Sequence, residues 1–123
     1  MLPPVGMSNQ EQIVAKARQE AEKGALAEAA RILGGLLGEH PTHEGARVAL
    51  AQITGSNGRA DLEVNILVEV LQENAGCVEA AEALVQALVR DGRLDDAREF
   101  AQGFSEANPD DNRAAQLLGM VKG

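Results

Sequence analysis

The sequence has 123 residues, a formal net charge of −8 and one cysteine, and 45% of its residues are apolar. A chain of this length forms one domain, a single cysteine cannot make an internal disulfide, and an acidic balance without a basic cluster argues against nucleic-acid binding. Because only two residues are aromatic, Ala, Leu and Val must fill the core, which favours closely packed helices over a β-sandwich.

The chain opens with "MLPPVGMSNQ", which has neither the charged segment nor the apolar segment of a secretory signal. We interpret residues 1–8 as a disordered leader or a cloning remnant. No apolar run approaches the roughly 18 residues needed to cross a membrane. We therefore expect a cytoplasmic protein without a membrane partner.

From residue 9 onward, apolar residues recur every three or four positions, as Ile13, Ala17 and Ala21 do. This period places them on one side of a helix, whereas a strand would alternate every second residue. The same period continues through the chain and predicts helices over residues 9–23, 26–38, 43–56, 60–73, 77–90, 94–106 and 111–121.

The predicted helix boundaries carry their own signals. The stretch Ser8–Glu11 has the pattern of a capping box at the first helix start. Pro41 and Pro109 follow helices that they cannot continue, and Thr42 and Asp110 after them are suitable N-cap residues.

The pair Asp91-Gly92 has two interpretations, because it is typical of a β-hairpin turn and also of a helix that ends on a left-handed glycine. Gly24 and Gly58 decide between them, since the three glycines are each 34 residues apart and helix-period residues follow all three. We therefore predict a helix–turn–helix unit repeated three times, which buries its apolar faces by stacking.

A 34-residue helical hairpin with these residues resembles the tetratricopeptide repeat. Leu50-Ala51, Leu84-Val85 and Leu118-Gly119 are similar to the family's pair in the middle of the first helix. The resemblance implies an all-α, right-handed α-solenoid of antiparallel helix pairs with about seven helices. The repeats would span residues 10–43, 44–77 and 78–111, followed by a C-terminal helix at 111–121, in one domain over 9–123.

The chain departs from the family pattern at several positions. Ile13, Arg47 and Ala81 stand where the family usually has tryptophan. In the second repeat, Glu63 replaces the small residue that packs the two helices together, and Ala75 replaces the closing proline. These departures affect the details of packing more than the architecture.

The resemblance also implies a concave groove lined by first-helix residues, which would bind a protein or peptide. Carried over to this sequence, the groove candidates are Val14, Arg18, Val48, Gln52, Glu79, Glu82, Gln86 and Arg90, with Glu11 and Val89 beside them. Residues 61–111 hold thirteen acidic and three basic residues. We therefore expect a basic or neutral peptide, and Glu82 argues against a ligand held by its terminal carboxylate.

No pattern in the sequence predicts catalysis, and we expect no cofactor, no metal and no enzyme activity. His40 and His43 flank Pro41, but no Cys or third ligand accompanies them, and a structural zinc site needs four ligands. Cys77 has no basic neighbour that would lower its pKa and make it reactive.

Two further features have alternative interpretations. Gly34 and Gly35 lie inside a predicted helix and indicate either a close helix–helix approach or a hinge. Val64 and Val68 are surplus to the expected core residues of their helix, so they either widen the buried face or form a self-association patch.

The function predicted from the sequence is a non-catalytic protein–protein interaction module, a scaffold or adaptor that holds a partner's peptide or helix. The alternatives are a self-assembling structural domain, with a possible homo-oligomer, and an accessory repeat segment of a larger enzyme or redox protein.

Overall fold

The computed structural model describes residues 6–121, and these residues form seven helices and no strand. The helices are α1 (Asn9–Glu22), α2 (Leu26–Glu39), α3 (Glu44–Ser56), α4 (Ala60–Glu73), α5 (Val78–Arg90), α6 (Leu94–Ala107) and α7 (Asn112–Met120). The all-α fold class is confirmed, and each predicted helix is present with its ends shifted by at most one residue. Most of the predicted leader lies outside the described residues, while Ser8 caps α1 by accepting a hydrogen bond from the Glu11 amide.

The turn within each helix pair is built around a glycine with positive φ. Gly24, Gly58 and Gly92 have φ values of 88°, 88° and 77°. In the third pair the Gly92 amide donates to the Val89 carbonyl and the Arg93 amide to the Leu88 carbonyl. This is the Schellman arrangement that ends a helix on a left-handed residue, so Asp91-Gly92 forms a helix end, as predicted.

The turn between successive pairs is also repeated. The amides of His43, Cys77 and Asp111 each donate to the carbonyl three residues earlier, at 3.1 Å. Ala75 stands inside one of these turns without the proline that the other two contain.

The N-caps of α3 and α7 lie one residue after the predicted ones. His43 Nδ1 accepts from the Ala46 amide, and the Asp111 side chain accepts from the Arg113 amide. Thr42 and Asp110 were therefore the wrong choices, because each lies inside the turn rather than at the helix start.

The helices stack so that the first helix of each pair lies inside and the second outside. Contacts join α1 to α3, α3 to α5 and α5 to α7, while α2, α4 and α6 in the described chain each contact only their neighbours in sequence. Inner helices that touch while outer helices diverge give the stack a concave inner face.

Two apolar clusters form the core, and α3 contributes to both. Ala46, Ala49 and Ile53 pack with residues of α1 and α2, whereas Val48 and Ala51 join the larger cluster, which continues to α7. The two helix faces of α3 thus join the first pair to the rest of the stack.

The three positions where the family usually has tryptophan are occupied by side chains in three different environments. Ala81 is fully buried, and Ile13 is 37% exposed at the N-terminal end of the stack. Arg47 has a largely buried side chain that pairs with Glu69 and Glu73 of α4. An inter-helix ion pair therefore joins α3 and α4 where an aromatic ring would otherwise pack.

Glu63 is the one charged residue among those described that is buried, at 1% exposure. Its carboxylate pairs with the guanidinium of Arg90, at the end of α5. A Cβ added at Gly55 of α3 would fall on this carboxylate. Gly55 therefore makes room for Glu63, and the buried pair connects the second repeat to the third.

The glycines of α2 do not support the interpretation that two helices approach closely at them. Gly34 and Gly35 are exposed, and a Cβ added at either would meet no atom within 4 Å. A close helix–helix approach is therefore wrong at these positions, because no neighbouring helix comes near them.

The apolar residues of α4 are divided between the core and the surface. Leu67 and Val70 are buried, and Val64 packs partly buried against the same cluster. Val68 is 37% exposed. Only Val68 of the predicted two-valine patch therefore lies on the surface.

Candidate functional site

The concave face carries two open depressions that cross the inner helices. The larger, of about 780 Å³, lies over the N-terminal ends of α1, α3 and α5 and includes the turns around His43 and Asn74. The smaller, of about 200 Å³, lies farther along the inner helices, between α1 and α7. Both are open surface features, with a shape suited to an elongated ligand more than to an enclosed small molecule.

Seven of the eight predicted groove residues line these depressions. They are Val14, Arg18, Val48, Gln52, Glu79, Glu82 and Gln86. Val14 and Val48 are buried, and Val48 at 2% exposure belongs to the floor rather than to an accessible wall. Arg90 lies apart from both depressions and pairs with Glu63 instead.

Two polar links connect neighbouring inner helices across the smaller depression. The Arg18 guanidinium donates to Gln52 Oε1 at 2.6 Å, joining α1 to α3. The Arg113 guanidinium donates to Glu82 Oε2 at 3.3 Å, joining α7 to α5. Each link thus joins the side chains of two neighbouring inner helices.

Arg113 was missed by the sequence-based prediction, although the repeat contained a signal for it. Glu79 lies 34 residues before Arg113, so the two occupy the same repeat position on α5 and α7. The prediction did not extend the groove to the last helix. In the structure α7 lines the smaller depression as α1, α3 and α5 do.

Residues from the inter-pair turns complete the larger depression. Asn74 donates through Nδ2 to Glu44 Oε2 at 2.7 Å, and its own Oδ1 accepts from the Gly76 amide. Asn74 is the C-cap residue that follows α4, and Glu44 begins α3. Neither was predicted, because the groove positions carried over from the family include neither the first residue of α3 nor the turns between pairs.

The charges on this face are unevenly paired. Arg18 is the one Lys or Arg in the described part of the chain that forms no ion pair with a carboxylate. Glu11 and Glu79 line the larger depression and form no ion pair either. Glu44 lines the same depression and has only the hydrogen bond from Asn74. The face therefore presents one cation and three carboxylates without an ion pair to a ligand.

The histidines and the cysteine have structural contacts. His43 caps α3, and the His40 ring lies 3.1 Å from the Gln10 side-chain amide. Cys77 is 7% exposed, and burial raises the pKa of its thiol, with smaller contributions of the same sign from Glu44 and Glu79. A raised pKa keeps the thiol protonated and poorly nucleophilic at neutral pH.

Among residues 6–121, no helix has both the length and the apolar character needed to cross a membrane.

Comparison with known proteins identifies the family. A sequence model of the tetratricopeptide repeat matches residues 56–121, which is more than half of the chain. The chain therefore belongs to the tetratricopeptide repeat family. No curated protein sequence matches it.

Solved structures of similar fold cover almost all of the chain. SycD, a type III secretion translocator chaperone of Yersinia enterocolitica, is 14% identical with a TM-score of 0.72, covering 97% of this chain and 96% of its own. The Sgt2 repeat domain of Aspergillus fumigatus is 11% identical with a TM-score of 0.73, covering 97% and 82%.

A third neighbour is the first repeat domain of Spaghetti (RPAP3), bound to the HSP90 peptide SRMEEVD. It is 12% identical with a TM-score of 0.69, and the alignment covers 96% of this chain and 95% of that one. At these identities the likeness establishes the fold, in agreement with the helical solenoid described above.

Proposed function

We propose that this chain is a non-catalytic interaction module that binds a peptide or helix of a partner protein on its concave face. The observation that carries the proposal is the open face itself, on which equivalent side chains of α1, α3, α5 and α7 line two adjacent depressions. Membership of the tetratricopeptide repeat family supports it, because that family consists generally of non-catalytic interaction modules.

Two structural neighbours add support for the kind of ligand. The Spaghetti domain was solved with an HSP90 peptide, and SycD was solved in complex with a peptide of the translocator YopD. Both are therefore peptide-binding proteins with the fold of this chain. We propose for this chain the same class of ligand, a peptide, but not the sequence of either of these two peptides.

The charge on the face favours a partner that contributes basic side chains. Glu11 and Glu79 are unpaired, and Glu44 makes one hydrogen bond, to an uncharged amide. Carboxylates on a concave surface attract cationic groups and raise the association rate at low ionic strength. We expect that rate to fall as salt is added, since exposed charges are screened over about 8 Å at physiological ionic strength.

We also place the protein in the cytoplasm. The proposal rests on its single thiol, which is buried and unpaired, because disulfides are common in secreted proteins and rare in cytosolic ones.

Site-specific photo-crosslinking tests the proposed face. A photoreactive amino acid replaces Gln86, which is exposed on the inner helix α5, and in a matched control it replaces Gln102, which is exposed on the outer helix α6. We expect protein adducts at position 86 in extracts of the source cells, and few at position 102. Equal adducts at both positions, or adducts at 102 alone, would reject the concave face as the binding site.

Self-association is the second candidate, and the observation that favours it is the exposed Val68 on the outer helix α4. Val64 is partly buried against the core, which leaves this patch small, so we expect at most weak dimerisation. Light scattering of the wild type and of Val68→Lys across micromolar to millimolar concentrations decides the matter. A monomer at all concentrations would eliminate the candidate.

A further inference from the structure

Arg18 and Glu79 have a position on the concave face that no other described residue shares. Within residues 6–121 they are the only two side chains that line both depressions. Arg18 lies in the middle of α1, and Glu79 lies in the first turn of α5, with α3 between the two helices. A ligand that extends from one depression into the other would therefore lie against both residues.

These two residues carry opposite charges and yet do not pair with each other. Arg18 uses one guanidinium nitrogen on the neutral Gln52 side chain and has no carboxylate partner. Glu79 has no hydrogen-bonding or ion-pairing partner among the described side chains. The neighbouring carboxylate of Glu82, by contrast, already pairs with Arg113.

A half-buried guanidinium gains most from a ligand carboxylate, which accepts its charge-assisted hydrogen bonds. An unpaired carboxylate gains correspondingly from a ligand ammonium or guanidinium. A ligand with basic groups alone would satisfy Glu79 but would bring positive charge close to Arg18. A ligand with acidic groups alone would be repelled by Glu79 in the same way.

Building on the proposed function, we infer that the groove selects a peptide segment that carries both an acidic and a basic side chain. The acidic side chain pairs with Arg18 on α1, and the basic side chain pairs with Glu79 on α5. Because α3 lies between α1 and α5, these helices are two helix spacings apart, and packed helices lie about 8–10 Å from each other. An extended chain rises about 3.3 Å per residue. The two ligand side chains are therefore separated by at most about six residues in an extended peptide.

Selection from a displayed library of random linear peptides tests this inference. The baits are the wild type, Arg18→Glu, Glu79→Lys and the double variant, which exchanges the two charges. Arg31→Glu on α2 and Glu99→Lys on α6 are matched controls, because they make the same charge changes at exposed positions on outer helices. Circular dichroism establishes that each bait is folded, and Arg18→Gln replaces Arg18→Glu if the latter is not.

We expect the wild type to enrich peptides that contain an acidic and a basic residue within the stated spacing. Each single charge reversal should weaken binding of such a peptide by about fivefold or more, the effect of a pair at a partly exposed site. A synthetic peptide with its two charges exchanged should prefer the double variant to the wild type. The control variants should bind the original peptide within about twofold of the wild type.

The two ways of failing are distinguishable. Peptides that bind the face without an acidic–basic pair, or that bind the double variant as they bind the wild type, would overturn this inference and leave groove binding in place. Failure to enrich any peptide on folded wild type would overturn both the inference and the peptide-binding function on which it rests.

Discussion

The buried carboxylate of Glu63 leads to a prediction about Gly55→Ala. This substitution should destabilise the wild type but stabilise a variant that lacks the carboxylate. A methyl group added by Gly55→Ala would fall on the Glu63 carboxylate. The carboxylate cannot move away freely, because Glu63 is 1% exposed and the partner that balances its charge is Arg90. Gly55→Ala therefore forces the carboxylate to leave its ion pair or the helices α3 and α4 to separate.

The magnitude follows from two opposing effects. Breaking a buried ion pair costs about 3–5 kcal/mol, and a value of about 2–3 kcal/mol is appropriate here because the Arg90 side chain is 58% exposed. Replacing glycine by alanine inside a helix contributes up to about 1 kcal/mol of stability. We therefore expect Gly55→Ala to lower the free energy of unfolding by about 1–2 kcal/mol.

The same substitution should stabilise a protein that lacks the carboxylate. Glu63→Ala restores the small residue found at the equivalent positions Ala29 and Ala97, and it leaves Arg90 exposed to water. In that background the added methyl group meets no charged group, so Gly55→Ala should raise the free energy of unfolding by about 0.5 kcal/mol or more. The coupling between the two positions is then about 2 kcal/mol.

Urea unfolding of the four proteins of this double-mutant cycle, followed by circular dichroism, measures the coupling. Arg90→Ala provides an independent check, since it should destabilise the wild type but have little effect on Glu63→Ala. Additive effects of Gly55→Ala and Glu63→Ala, within about 0.5 kcal/mol, would refute the reasoning that Gly55 exists to accommodate the carboxylate.

Three further predictions concern stability and reactivity. Gly34→Ala and Gly35→Ala should each raise the free energy of unfolding by about 0.5–1 kcal/mol in urea titrations, because their sites are open helix positions, whereas the control Gly24→Ala should lower it because φ there is 88°. A loss of stability at position 34 would show that the glycine has a contact or a hinge role. His43→Ala should lower the melting temperature through loss of a cap worth about 1 kcal/mol, while His43→Ser retains it; equal losses in both variants would contradict a capping role. Cys77 should react with iodoacetamide far more slowly in the folded protein than in urea, since burial raises its pKa. Because the folded-state pKa is the higher one, this thiol's contribution to stability is complete below the pKa of an unfolded thiol, about 8.5, and is lost as pH rises above it. Rapid alkylation of Cys77 in the native protein would contradict the expected slow reaction with iodoacetamide.

The fold could be predicted from the sequence because the same signals recur at a fixed interval. Gly24, Gly58 and Gly92 mark three turns that each require a left-handed residue, and helical periodicity follows each of them. An error at one helix boundary, such as the prediction of Thr42 as the N-cap in place of His43, does not affect the prediction of the other boundaries. Such recurrence is characteristic of folds in which each unit contacts only its neighbours.

The side-chain arrangement of the site was less predictable, because it depends on pairings between helices. Sequence position alone placed Arg90 in the groove, whereas its guanidinium turns to Glu63 on the neighbouring helix. It also gave no reason to connect Gly55 with Glu63. The surroundings of Gly34 were equally unpredictable, because only the three-dimensional structure shows that no neighbouring helix lies close to it.

The most direct test of the central claim is to map a bound peptide onto the protein by NMR. Titration of isotope-labelled protein with a library-selected peptide should move the amide resonances of Arg18, Gln52, Glu79 and Gln86 most, in fast or intermediate exchange. The outer helices α2, α4 and α6 should change little. Shifts concentrated on the outer helices, with the inner residues unchanged, would contradict a concave binding face.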